Sequence, residues 1–423
     1  MNTYPHYKPS GIQWIGEIPE HWERVCLKRI VEIKVTDGPH ETPVFVEEGV
    51  PFISAESIKS NSVDFNYKRG YISKELDIEY SKKCKPQKHD IFIVKSGSTT
   101  GKVAYVDFDD DFNIWSPLAL VRCCPKIALS KFTFYALQSE YFQKEIQLNW
   151  SFGTQPNIGM NVIENLKFVL PPLSEQTAIA NYLDRKTAEI DQTIADKEAL
   201  IGLYEEEKKG LINEAVTKGL NPNVPFKPSD IEWLGDVPEH WEVKKLKYVA
   251  NLRSGDTITS ELIAEEGAYP VYGGNGLRGY TTDYTHEGNY VLIGRQGALC
   301  GNINYAFGKF WASEHAIVAT ILDNSEFVWL GEFLKMMNLN QYSLASAQPG
   351  LSVDRIQNLH IPYPPLPEQA AIVDYIETET AKINEKMTVA RQEIGLLKEF
   401  RQALIFECVT GKVCCLEEKK IDL

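Results

Sequence analysis

Between Ser174 and Lys218 the seam positions advance by alternating steps of four and three: Ile190, Ile194, Lys197, Ile201, Tyr204, Lys208, Leu211 and Ala215. A stretch near the C-terminus advances identically: Ile383, Met387, Ala390, Ile394, Leu397, Arg401, Leu404 and Cys408. Such spacing is the heptad seam of a coiled coil. It predicts one long helix over 174–218, spanning about 65 Å at 1.5 Å per residue. Lys197, Lys208 and Arg401 interrupt the seams. Two weak seams in matched register are expected to pack on each other. Pro171-Pro172 and Pro364-Pro365 end the preceding strands and set the helix starts.

Elsewhere the pattern shortens. Asp90-Ile-Phe-Ile-Val94, Lys102-Val-Ala-Tyr-Val106 and Asn289-Tyr-Val-Leu-Ile293 are β-rich runs separated by Gly, Asn and Asp turns. Helices are expected over 129–147 and 325–341, each followed by a Gln-Pro, at Gln155-Pro156 and Gln348-Pro349.

The chain also repeats itself. Ser10-Gly-Ile-Gln-Trp-Ile-Gly-Glu-Ile-Pro-Glu-His-Trp-Glu23 returns as Ser229-Asp-Ile-Glu-Trp-Leu-Gly-Asp-Val-Pro-Glu-His-Trp-Glu242, 219 positions later. Leu170-Pro-Pro-Leu-Ser-Glu-Gln-Thr-Ala-Ile179 returns as Tyr363-Pro-Pro-Leu-Pro-Glu-Gln-Ala-Ala-Ile372, 193 positions later. The chain is a tandem duplication, each half carrying a variable stretch between two shared segments. A fainter echo pairs Lys95-Ser-Gly97 with Arg295-Gln-Gly297. The expected fold class is α+β: two globular domains, 1–155 and 221–350, joined by helical regions 156–220 and 351–423. The long helices are expected to pack as an antiparallel coiled coil, with an internal pseudo-two-fold repeat that suits a two-fold partner such as duplex DNA.

Composition adds constraints. The 43% hydrophobic and 24% charged fractions are those of a globular protein. No run of about 18 apolar residues predicts a membrane span, and the N-terminus lacks a signal-peptide core. Eight cysteines without a Cys-x-x-Cys fit reduced thiols in a cytoplasmic protein. Net charge is −14, with residues 1–150 near neutral at −1 and residues 221–350 acidic at −6. Phosphate neutralisation on DNA must then come from clustered residues or from a partner.

Several motifs fail on inspection. Gly274-Asn-Gly276-Leu-Arg-Gly279 fits G-x-G-x-x-G but precedes Tyr280 and a strand, not the helix that a dinucleotide site requires. Gly97-Ser-Thr-Thr-Gly101-Lys102-Val103 is one residue short of a phosphate loop and has Val where a magnesium-binding hydroxyl belongs. The Pro-Pro pairs lack the polar and aromatic flanks of an amino-methyltransferase motif. No catalytic triad or metal-ligand cluster stands out. His21 and His240 are expected to be structural, and Trp14, Trp22, Trp233 and Trp241 to be core anchors.

What remains is polar side chains beside glycine in the variable domains. Lys95, Ser96, Thr99, Thr100 and Lys102 form one candidate DNA-contacting cluster, and Asn275, Arg278, Arg295 and Gln296 form the other. Arg and Lys read guanine, and Asn or Gln read adenine, through paired hydrogen bonds at base edges.

The duplicated Gly-x-Ile/Val-Pro-x-x-Trp segments (16–22 and 235–241) and Pro-Pro-Leu-x-Glu-Gln-x-x-Ile segments (171–179 and 364–372) together resemble the specificity subunit of a type I restriction–modification system. The resemblance covers essentially the whole length. It implies two target-recognition domains, each reading one half of a split duplex DNA sequence, and antiparallel helices that act as a ruler. It also implies no catalytic activity and no directly bound cofactor. Two methyltransferase subunits would bring S-adenosylmethionine, and restriction/translocase subunits would bring ATP and magnesium. The alternatives are the recognition subunit of a related system with a fused methyltransferase–nuclease partner, and a non-DNA coiled-coil scaffold.

Overall fold

The computed structural model describes residues 3–152, 155–297, 299–343 and 350–416. Gln348-Pro349 therefore lies outside the described residues. The chain forms two compact units, one of residues 1–196 with 392–423 and the other of residues 197–391.

In the first unit β1 (Glu23–Cys26), β2 (Thr36–Asp37), β3 (Ile91–Val94), β4 (Val103–Tyr105), β5 (Leu118–Val121) and β6 (Lys167–Leu170) form the frame. The order β4-β3-β5-β2 is antiparallel throughout, and β6 pairs separately with β1. β3 and β5 are fully buried, which is why they read as unbroken apolar runs rather than as alternation. Phe92, Val94, Leu118 and Leu120 centre this core. The single helix expected over 129–147 is two, Ser130–Gln138 and Glu140–Asn149. Ser139 breaks it with extended backbone (ψ 148°), and its hydroxyl returns to Ala136 O.

In the second unit β7 (Glu242–Lys245) pairs with β14 (His360–Tyr363). Between them lie β8 (Ala250–Ser254), β9 (Tyr269–Gly273), β10 (Gly276–Thr281), β11 (His286–Gly294), β12 (Ile303–Ala312) and β13 (Ala316–Ile321), in the order β8-β13-β11-β12-β9-β10. The helix expected over 325–341 is Phe327–Met336 with a 3-10 turn at Leu339–Tyr342. It covers the sheet with buried Trp329, Leu330, Phe333 and Leu334.

The long helices run Leu173–Lys218 and Leu366–Val409, within a residue of the expected start of the first. Their seam residues are mostly buried: Ile190, Ile194, Ile394, Leu404 and Cys408 in the first unit, and Ala215, Ile383, Met387 and Ala390 in the second. The charged interruptions have partners. In the first unit Arg401 grips Asp191 with two hydrogen bonds (2.8 and 3.1 Å). In the second, Arg391 faces Glu205 and Lys208 donates to Asn384 (3.0 Å). Numbers rise on one helix as they fall on the other, so the segments within that unit run antiparallel.

Each repeat closes on itself through its shared segments. Glu175 accepts hydrogen bonds from Trp22 Nε1 (2.9 Å) and Tyr4 OH (2.9 Å), and its other oxygen meets His21 Nε2 (2.6 Å). Glu368 meets the equivalent pair on a single oxygen, Oε2, which accepts from Trp241 Nε1 (3.0 Å) and lies 2.7 Å from His240 Nε2. The neighbouring glutamines hold the variable domains. Gln176 Oε1 accepts from Leu129 N and Gln369 Oε1 from Glu326 N, at the N-termini of the helices starting at Ser130 and Phe327. Trp22 and Trp241 are fully buried, as core anchors should be. Trp14 and Trp233 correct the expectation for the other pair. Each is 37% exposed; Trp14 donates to Glu145, and Trp233 stacks at an angle on Phe333.

Candidate nucleic-acid interface

The two candidate clusters sit on equivalent turns. In the first unit the turn joins β3 to β4: Gly101 N donates to Val94 O, Val94 N to Lys102 O, Lys95 N to Pro117 O, and Ile158 N to Lys95 O. In the second it joins β11 to β12: Gly301 N donates to Gly294 O, Gly294 N to Asn302 O, Arg295 N to His315 O, and Leu351 N to Arg295 O. The same backbone bonds recur one for one. The turns need glycine: Gly97 and Gly297 have φ of +104° and +89°. A Cβ on Gly301 would lie 2.6 Å from Asn340 N.

The side chains diverge. Lys95 is held inward by Asp37 (Nζ to Oδ2, 2.7 Å), with only 12% of its side chain exposed. Lys83 pairs with the same carboxylate, and His40 Nε2 lies 3.0 Å from it. Burial of Asp37 opposes its ionisation, but hydrogen bonds from Lys83 and Lys95 outweigh that and hold its pKa below the ordinary carboxylate value. Thr100 Oγ1 is turned back onto Gly97 O (2.8 Å) and Pro156 O (3.1 Å). Ser96 is half-buried and bridges to Asn157, and Thr99 is half-buried. Lys102 is the exposed cation of this turn, without an ion pair among the described residues.

Arg295 stands where Lys95 does, yet its surroundings differ. Opposite β5, Asp37 pairs with Ala119; opposite β13, Ser254 pairs with Ile317, the residue in the matching place. A serine thus replaces the buried aspartate. Arg295 is half-buried; among the described residues its side chain donates to Glu314 O (Nη1, 3.4 Å) and has no carboxylate within ion-pair distance.

The structure brings Asn275, Arg278 and Gln296 together around an open cavity of about 440 Å³, which Arg295 does not line. Gly274–Gly279 is the turn and first part of the hairpin β9–β10, so no helix N-terminus faces it and the dinucleotide pattern has no site to serve. Among the described residues no group of three His, Cys, Asp or Glu is arranged to hold a metal ion, and no helix is long and apolar enough to cross a membrane. Sequence reasoning missed Asp37, Glu314 and His315. Asp37 is 58 positions from Lys95 and reaches it only through the order of the sheet.

Comparison with known proteins agrees with this architecture. Residues 19–199 and 238–393 match the model of the type I restriction modification DNA specificity domain. The EcoprrI specificity subunit of Escherichia coli is 40% identical over 166 residues, 37% of this chain and 41% of that one. The MjaVIII specificity subunit of Methanocaldococcus jannaschii is 25% identical over 94% of both chains. Among solved structures, a subunit from a study of type I R-M complex assembly and conformational transition has a TM-score of 0.67 at 17% identity, covering 94% of this chain and 99% of that one. The HsdS subunit from Thermoanaerobacter tengcongensis has a TM-score of 0.55 at 17% identity, covering 94% and 98%. At those identities the likeness concerns the fold.

Proposed function

The chain belongs to the type I restriction–modification DNA specificity family, and from that premise we propose that each unit reads one half of a bipartite duplex target while the long helices set the spacing between the halves. As a specificity subunit it recognises DNA sequence and carries out no reaction of its own. The observation that carries the bipartite reading is the pair of equivalent turns around Lys95 and Arg295. They share one backbone scaffold and carry different side chains, as two readers of unlike half-sites require. In this reading the helices form an antiparallel coiled coil with an internal pseudo-two-fold repeat. They dock two methyltransferase subunits, and restriction/translocase subunits complete the enzyme. S-adenosylmethionine, ATP and magnesium belong to those partners, and the complex works in the cytoplasm. A chain of net charge −14 gains from cationic partners that close around the duplex.

The test is methylation-aware sequencing of DNA exposed to the assembled complex. The expected result is one motif of two specified halves with an unspecified spacer. Methylation without sequence preference would overturn the reading.

A further inference from the structure

We propose that the cavity between the β9–β10 turn and the β11–β12 turn of the second unit is a donor-lined slot that takes the major-groove edge of one guanine. The inference rests on the DNA-reading function above and adds the base.

A sequence containing Asn275 and Gln296 points to adenine, because an amide offers a donor and an acceptor side by side. The structure places a nitrogen against each of their carbonyl oxygens. Asn302 Nδ2 donates to Asn275 Oδ1 (3.2 Å), which leaves the Asn275 amino group free. Gln296 Oε1 faces His315 Nδ1 at 3.1 Å, and a proton on that ring nitrogen occupies the oxygen and leaves the Gln296 amino group free. The other ring nitrogen of His315 lies 3.2 Å from Glu314 Oε1, so the ring is held from both sides. Arg278 is exposed and adds a guanidinium without an ion pair among the described residues; its stem lies so close over Gly273 that a Cβ there would be 2.5 Å from Arg278 Cδ. Among the described residues no carboxylate lines the cavity.

A slot of donors fits an edge of acceptors. Guanine presents two in the major groove, N7 and O6, whereas adenine and cytosine each present an amino donor that these side chains cannot satisfy. A backbone phosphate also accepts, but two neutral amides and the half-exposed Leu299 suit a flat base edge better than an anionic phosphodiester. Among the described residues the first unit has no counterpart. Ser96 replaces Gln296, and Ser116-Pro117 replace Glu314-His315. Sequence preference at this base therefore belongs to one half-site only.

The test uses the full chain assembled with its methyltransferase partner and a randomised duplex library. The half-site that changes on Arg278→Leu is the one this unit reads. Each guanine of that half-site is then replaced by 7-deazaguanine, which lacks only the N7 acceptor. Binding should weaken roughly 5- to 150-fold at one position. The same replacement should change nothing in the Asn275→Leu/Arg278→Leu/Gln296→Leu variant, whose continued recognition of the other half-site shows that it is folded. His315→Leu, which frees the Gln296 amide to turn over, should broaden that position to accept adenine. The inference is overturned if no guanine is sensitive, or if Arg278→Leu weakens all sequences equally and a methylphosphonate reproduces the loss. In either case a bipartite motif leaves the function above standing. Absence of any sequence preference in the unaltered complex overturns both.

Discussion

Trp22 and Glu175, 153 positions apart, are joined by a 2.9 Å hydrogen bond from the indole nitrogen to the carboxylate. The bond ties the segment that opens the first repeat to the start of its long helix, and Trp241 with Glu368 repeats it. Burial and the Glu175 carboxylate push the Tyr4 phenol far above its ordinary pKa, so Tyr4 remains a donor to the same group. Glu175→Ala leaves two buried donors without an acceptor. Each costs about 1–3 kcal/mol, so the expected loss of stability by urea unfolding is about 2–6 kcal/mol. Glu368→Ala should cost less, because its side chain is 24% exposed against 11% and serves one indole and no buried phenol. Equal losses would refute this ranking.

Asp37 supplies a pH dependence whose direction can be worked out. Its folded pKa lies below the ordinary 3.8, so the unfolded chain binds the proton more readily. The stabilisation is complete above that ordinary value and is lost as pH falls through the lowered one. The stability gap between the unaltered protein and Asp37→Asn should be constant above about pH 5 and narrow below about pH 4. Urea unfolding at pH 7, 5, 4 and 3 measures it. A gap that stays constant to pH 3 would mean that the charge on Asp37 contributes nothing.

Lys95 and Arg295 occupy the same turn position but should respond differently to truncation. Lys95→Ala removes an ion pair from a buried carboxylate and should lower stability more than it alters sequence preference. Arg295→Ala removes a guanidinium without a carboxylate partner. If Arg295 reaches guanine, it should cost about 1–3 kcal/mol of binding and relax one base position. Uniform loss with a shallower salt slope would make it a phosphate contact. No change in affinity, specificity or salt dependence would make it a bystander.

The ruler reading predicts a geometric effect. Lengthening both long helices by one heptad, after Lys197 and at the facing point of the second helix, should widen the spacer of the recognised motif while leaving both halves unchanged. The readout is the methylated motif of the assembled complex. An unchanged spacer with intact methylation would refute the ruler.

The duplication, the helix over 174–218 and the heptad seam were legible because each depends on spacing within one stretch of chain. Even Lys208 and Arg401, which interrupt the seam, left the period readable. The buried strands Ile91–Val94 and Leu118–Val121 were legible as apolar runs between turn residues. Tertiary structure decided what the candidate side chains can do. Asp37 neutralises Lys95 only because β2 and β3 flank the same strand, and Ser254 leaves Arg295 unneutralised for the same topological reason. Asn275 and Gln296 read as adenine readers until the fold sets Asn302 and His315 against their carbonyl oxygens. Hydrophobic period is written along the chain, whereas the partner of a charge or an amide is set by which distant strands the fold makes neighbours.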